Sequence, residues 1–227
     1  MVVRLSTSIL FLTFGLQTVA QSTIDKCELN QSLKSTINSD IDIITETEYN
    51  RLRNIYFKSE KVELHKLNSD SLESALVKTF PNVFSLKDSC YTFKSISGGE
   101  IKACKLKGSD EKDYSTYEFV NANCNLIQLS IGVYEGWGNI YVNPNTGEAF
   151  YTGGDPIYLN CDYLYSHTNY YGDEEISIVN LRDKKYMILN FDGWYTIESF
   201  TFQSYFVFKL KSYNCRDKVK YLNVLIN

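Results

Sequence analysis

The sequence predicts a mainly β protein, or an α+β one, built as an antiparallel β-meander behind a small, partly helical N-terminal segment. Three observations carry that prediction. From Cys90 onward the apolar residues recur at every second position, aromatic and β-branched residues dominate, and turn-forming residues return at short intervals. Ahead of Cys90 the apolar spacing is helical over two stretches. Six cysteines, an even number, follow a leader-like N-terminus.

Residues 1–20 read as a secretory signal peptide. Arg4 supplies the positive charge, Ile9 to Leu16 the apolar stretch, and Thr18-Val19-Ala20 a small-residue cleavage site before Gln21. The apolar stretch of about 8 residues is far short of the roughly 20 that span a bilayer. Ile24-Asp25-Lys26 lacks the Leu and the small residue that would make Cys27 a lipid-attachment site. The expectation is a secreted or periplasmic protein with no membrane insertion after signal cleavage. Loss of Arg4 with the leader moves the net charge from −4 to −5. No basic stripe is available for phosphate contacts, so nucleic acid is not an expected partner.

Residues 21–85 are expected to form the partly helical segment, packed on the main domain. Thr45-Glu46-Thr47-Glu48 is a capping-box pattern, followed by Tyr49, Leu52, Ile55 and Tyr56 at helical spacing. A second helix is predicted from Asp70, with Leu72, Ala75, Leu76 and Phe80 on one face and Pro81 as its stop. Between them Lys61–Leu67 alternates like a short strand.

Residues 86–227 form the expected antiparallel β-rich domain. Phe200, Phe202, Ser204, Phe206, Phe208 and Leu210 define the apolar side of one half-buried strand. Ile157, Leu159, Cys161, Tyr163 and Tyr165 define a second such side. Asn143-Pro144-Asn145-Thr146-Gly147 is a strong hairpin turn, Asp192-Gly193 marks a break, and Tyr221–Ile226 reads as a final strand.

Cys27, Cys90, Cys104, Cys124, Cys161 and Cys215 are the disulfide candidates, each bridge contributing roughly 2–4 kcal/mol. Cys90 and Cys104 flank the Ser97-Gly98-Gly99 turn and are expected on neighbouring strands; the other pairings stay open. No close pair of cysteines exists and the only histidines are His65 and His167, so neither a metal site nor another cofactor is expected.

The stretch Gly138-Asn139-Ile140-Tyr141-Val142-Asn143, then Thr146-Gly147-Glu148, then Gly154-Asp155-Pro156-Ile157-Tyr158 resembles a unit of uncharacterised exported bacterial proteins. In that unit a strand, an N-x-x-T-G turn and a second strand lead to a G-x-P. The resemblance covers about residues 130–211 and implies the blade-like strand meanders of propeller-type proteins. It departs where Leu159-Asn160-Cys161-Asp162-Tyr163 replaces the usual S-P-D-G turn. Residues 90–227 hold only about three blades of the usual length, so closing a propeller would need strands from the N-terminal segment.

Eight tyrosines fall between Tyr134 and Tyr171. Tyrosine suits half-buried strands, where the ring packs and the hydroxyl stays wet; exposed rings also stack on sugars or anchor protein partners. Trp137, between two glycines, is the leading binding candidate, with Tyr134, Tyr141 and Trp194 beside it. Gly172-Asp173-Glu174-Glu175 lacks the ligand spacing of a calcium loop and is expected to be a solvated turn. No G-x-S-x-G elbow, phosphate loop or dinucleotide fingerprint is present.

The leading expectation is therefore an exported, non-enzymatic protein with a binding or structural role in the envelope or outside the cell. Its partner would be a protein or a glycan. One alternative is a secreted glycan hydrolase using carboxylates among Asp155, Asp162, Asp173 and Asp192, which would have to converge across a cleft. Another is an inhibitor or immunity-type protein presenting its helical segment to a protein partner.

Overall fold

The computed structural model describes residues 28–57, 69–106, 115–133, 136–170 and 172–227. The leader, the alternating run Lys61–Leu67, Cys27 and Tyr134 lie outside the described residues. Among the described residues, fifteen strands and two helices follow one another. They are β1 (Asn30–Ser35), β2 (Ser39–Ile44), α1 (Glu46–Tyr56), α2 (Ser69–Thr79), β3 (Cys90–Ser95), β4 (Glu100–Cys104), β5 (Ser115–Asn123), β6 (Leu126–Val133), β7 (Gly136–Val142) and β8 (Glu148–Gly153). There follow β9 (Pro156–Leu159), β10 (Tyr163–Tyr170), β11 (Asp173–Asn180), β12 (Lys185–Asp192), β13 (Trp194–Phe202), β14 (Tyr205–Ser212) and β15 (Val219–Ile226). The protein is β-rich, and its strands pair antiparallel throughout except for β3 beside β8.

Three meanders make three sheets. Strands β5 to β8 join β3 and β4 in a six-stranded sheet, β9 to β12 join β1 in a five-stranded sheet, and β13 to β15 join β2 in a four-stranded sheet. The segment ahead of Cys90 is thus partly helical, as its capping signals predict, and also supplies an edge strand to each of two sheets. The five-stranded sheet lies in the middle and is buried on both faces. Along β11, Ile176 and Ile178 enter the core shared with the four-stranded sheet, whereas Val179 enters the core shared with Tyr141 and Phe150 of the six-stranded sheet. Trp194, Phe206, Phe208, Leu222 and Val224 complete the first of these cores. Full burial of each such side chain contributes about 1.5–3 kcal/mol.

A helix covers each outer sheet. Thr45 caps α1, its side chain accepting from the Glu48 amide, and Tyr49 and Leu52 pack on Phe200, Val207 and Tyr221. Glu198 fixes that helix: it accepts from the Tyr49 hydroxyl at 2.6 Å and from the Arg53 guanidinium at 2.7–3.0 Å. The Arg53 hydrogen bonds hold the Glu198 carboxyl below the usual carboxylate range. On the other side Leu76 of α2 and Phe84 fill the concave face of the six-stranded sheet. The outer strands of that sheet meet where Leu106 and Ser115 exchange backbone hydrogen bonds. Glu73 of α2 accepts from both the Tyr91 and Tyr117 hydroxyls at 2.9 Å.

Two expected strands are in fact hairpins. The run 200–211 turns at Gln203-Ser204, where Gln203 has φ 53°, and Phe202 pairs with Tyr205. Phe200 consequently faces α1, while Phe206, Phe208 and Leu210 face the central sheet. The run 157–165 turns between β9 and β10, where Asn160 accepts from the amides of Asp162 and Tyr163. The turns at Asn143–Gly147 and Gly193 stand where the sequence places them.

Cys90 and Cys104 are bridged across the paired strands β3 and β4. Cys124 and Cys161 join the tip of the β5–β6 hairpin to that of β9–β10, fastening the six-stranded sheet to the central one. Cys215 is disulfide-bonded as well. Among the described residues no helix is long and apolar enough to cross a membrane.

Two measurements check these supports. A Cys124→Ser/Cys161→Ser double variant should lose roughly 4 kcal/mol, for a bridge closing a span of 37 residues, and melt about 10 °C lower. An unchanged melting temperature would show that the two sheets dock without the bridge. Because the folded Glu198 pKa lies below its unfolded value, its contribution is complete above the unfolded pKa of about 4.3 and is lost as the pH falls through the folded value. Glu198→Gln should therefore flatten the acid limb of stability measured by thermal melts between about pH 5 and 2.

Candidate functional site

The six-stranded sheet covers the central sheet incompletely. Strand β3 runs beside β8 only at Lys94 and Ser95, after which the chain turns away through Ser97, Gly98 and Gly99. Gly98 and Gly99 adopt φ of 91° and 79°, which L side chains rarely reach, so this sharp departure depends on glycine. Beyond the turn a cleft of about 280 Å³ opens between the two sheets. A smaller extension of about 40 Å³ shares Ile96, Phe150 and Val179 with it. The Lys184–Glu148 ion pair lines that extension at 2.5 Å and holds the Glu148 carboxyl low.

The cleft has an apolar floor of Phe150, Val179 and Ile188. Ser95, Ser97, Ser177, Tyr151 and Tyr186 also line it. Lys34 enters from β1 of the central sheet and Glu100 from β4 of the six-stranded one. This mixture of apolar floor, hydroxyls and single charges of either sign is what small-ligand clefts use to combine contact area with orientation. Among the described residues Glu100 is the one carboxylate that lines the main cleft.

Close packing beside the cleft sets the distance between sheets. A Cβ on Gly153 would lie 2.4 Å from Thr168 Cγ2, and one on Gly154 would lie 2.2 Å from the His167 carbonyl oxygen. A buried polar row runs next to this contact. Gln128 donates to Asn139 Oδ1 at 2.9 Å, and Asn139 donates to the Gly154 carbonyl at 2.7 Å. Thr152 and Ser166, both fully buried, face this layer from the two sheets. Burial pushes the Tyr141 hydroxyl above the usual tyrosine range.

The acidic run departs from the expected solvated turn. Asp173, Glu174 and Glu175 open strand β11, and the side chain of Glu174 is only 1 % exposed. Its Oε1 faces His167 Nδ1 at 2.7 Å, and its other oxygen accepts from Asn169, which in turn accepts from the Tyr213 hydroxyl. Burial raises the Glu175 carboxyl. His167, which has no telling neighbours in the sequence, thus lies against a buried carboxylate two strand positions off its direct partner Ile176. That pairing required the register and could not be read from spacing.

The residues singled out by sequence do not converge. Trp194 is fully buried and donates its ring N–H to the Glu28 carbonyl, so its ring offers no face to a ligand. Tyr141 is 1 % exposed and stacks on Phe150. Trp137 is 52 % exposed at the far end of β7, outside the cleft lining. Of the tyrosine cluster, Tyr151 reaches the cleft. Asp155, Asp162, Asp173 and Asp192 all stay outside it, with Asp162 paired to Arg182 at 2.8 Å. No group of metal-ligating side chains gathers among the described residues. Sequence reasoning missed Lys34, Ser95, Ser177 and Tyr186, which come together through the β1–β12 and β11–β12 pairings and the docking of β3 across from them.

No protein-family model, curated protein or solved structure matches this chain.

The geometry beside the cleft is testable through its glycines. Gly154→Ala combines a φ of 67° with a collision against backbone, and should destabilise by more than about 2 kcal/mol in urea melts. Gly147→Ala, whose added Cβ meets only Val83 at 3.6 Å, should cost about 1–2 kcal/mol, chiefly for its φ of 70°.

Proposed function

We propose that this is an exported protein that works by binding, and that the cleft between the six-stranded and central sheets is where its ligand sits. The observation that carries the proposal is the composition of that cleft: an apolar floor, the hydroxyl-bearing residues Ser95, Ser97, Ser177 and Tyr186, and one carboxylate among the described residues. A glycan hydrolase of the two-carboxylate kind needs a pair of acids across one cleft, and the aspartates considered for that role lie outside this one. Export is supported by the leader-like N-terminus and by disulfides, which persist in oxidising compartments.

A thermal-shift screen against neutral oligosaccharides and short peptides tests the proposal. Ligands of the cleft should raise the melting temperature through preferential binding to the folded state. Ser97→Trp, at the exposed lip of the cleft, should fill its mouth and abolish the shift while leaving the unliganded melt within about 2 °C. Chemical turnover of a ligand that binds there, or shifts undiminished in Ser97→Trp, would overturn the binding reading.

A further inference from the structure

The central and four-stranded sheets end, on one side of the molecule, in strands from the N-terminal segment. β1 is the last strand of the first sheet and β2 the last strand of the second. Only Thr36, Ile37 and Asn38 separate them in the chain, so Ser35 and Ser39 lie at the same end of the two strands.

The registers show which backbone groups these strands use. In an antiparallel ladder, directly opposed residues alternate between exchanging hydrogen bonds and exchanging none. The Thr36 amide donates to the Tyr186 carbonyl at 2.8 Å, so the even-numbered residues of β1 turn toward β12. Gln31, Leu33 and Ser35 turn away from it. The Asn227 amide donates to the Asn38 carbonyl at 2.9 Å, so the even-numbered residues of β2 turn toward β15. Ser39, Ile41 and Ile43 turn away. No strand among the described residues pairs with either outer edge.

Exposure shows that nothing lies over these edges. Leu33 stands directly opposite Leu189, and Ile43 directly opposite Leu222, on the faces that meet in the core shared by the two sheets. Leu189 and Leu222 are fully buried, whereas Leu33 is 50 % and Ile43 60 % exposed. Side chains directed between two sheets stay that accessible only where the gap is open along its side. Gln31, Ser32 and Lys34 are exposed as well.

Proline, a bulge or an inward-pointing charge would close such an edge to pairing. Neither strand contains one, and both registers run unbroken. Lys34, Asp40 and Asp42 alternate with Leu33, Ile41 and Ile43, so the charges face away from the core while the aliphatic side chains face into it.

Two arrangements can join these edges in a pair of copies related by a two-fold axis. An axis normal to the sheets sets β2 against the partner's β2 and aspartate against aspartate, and like charges directly opposed are destabilising. An axis parallel to the strands sets β1 against the partner's β2, twice. That axis preserves position along the strands, so Ser35 falls opposite the partner's Ser39. Leu33 then falls opposite the partner's Ile41, and Lys34 opposite the partner's Asp40. This register matches outward backbone groups with outward backbone groups, aliphatic with aliphatic and cation with carboxylate.

We propose that the β1–β2 side of the molecule is a self-association surface, on which two copies pair β1 with β2 reciprocally and close a continuous apolar core over Leu33, Ile41 and Ile43. Because Lys34 also lines the cleft, the pairing brings the partner's Asp40 to the cleft rim. The surface is separate from ligand binding in the cleft, and either can fail without the other.

Sedimentation velocity of the full mature chain tests the proposal, with a dimer of Kd below about 100 µM expected. Leu33→Glu, an inward-pointing charge at an exposed position, should leave only monomer. Lys34→Glu or Asp40→Lys alone should weaken the dimer about tenfold, and the two changes together should restore it to within about threefold of the parent. Hydrogen exchange on the unaltered protein gives a second measurement. The amides of Leu33, Ile41 and Ile43 should gain protection as protein concentration rises, while those of Lys34 and Asp42, already bonded within their sheets, should not.

Monomer at every concentration would overturn the proposal. So would a dimer indifferent to Leu33→Glu, because it would use another surface. A dimer tightened by Asp40→Lys would overturn it too, since β2 would then face the partner's β2.

Discussion

Everything in this fold depends on a central antiparallel sheet that has no solvent face. Such sheets commonly leave one side wet, but here Ile176 and Ile178 point into one core and Val179 into another. Desolvating both faces of β11 is favourable only if two further sheets arrive to cover them, and each of those then has an outer face to protect. Helix α1 covers one and α2 with Phe84 the other. The layered order of helix, sheet, sheet, sheet and helix follows from that single requirement.

The same requirement locates the cleft. A sheet covers its neighbour completely only where its own strands continue, and β3 ends after Ser95 while the central sheet extends on to β12 and β1. Gly153 and Gly154 draw β8 tightly onto β10, so the gap is confined to the side that β3 vacates. Polar groups enter the interior at this boundary in the Gln128–Asn139 row, where contact between the layers changes from apolar to mixed. The Cys124–Cys161 bridge and the Lys184–Glu148 pair tie the two sheets together by covalent and ionic means.

Much of the architecture was legible in the sequence because it is local. The capping box at Thr45, the stop at Pro81, the Asn143–Gly147 turn and the Cys90–Cys104 neighbourhood each follow from residues close in the chain. Period-two patterning also identified the β region, but it runs unbroken through a hairpin whose turn, Gln203-Ser204, carries no glycine. The two strands at Asn30–Ser35 and Ser39–Ile44 were hidden for another reason. β1 is polar and weakly patterned, β2 alternates Asp and Ile over only a few residues, and both become strands by pairing with β12 and β15 far along the chain. With β1 unplaced, Lys34 had no location in the cleft wall. The aromatic signal misled for the opposite reason: type is visible in a sequence and exposure is not, so Trp194 and Trp137 looked alike until one proved to be core.

The pairing of β2 with β15 has a consequence for synthesis. Ile44 is translated early and its partner Tyr221 only after nearly all the rest. The six-stranded sheet takes all its strands from Cys90 to Gly153 and can close on its own schedule. The central sheet must wait for β12, and the four-stranded sheet for β15. A nascent chain therefore carries β1 and β2 as unsatisfied edges for most of its elongation, and contacts so distant in sequence form slowly. The polar side chains of β1, which made that strand hard to recognise, also leave it little apolar surface to cover while it waits.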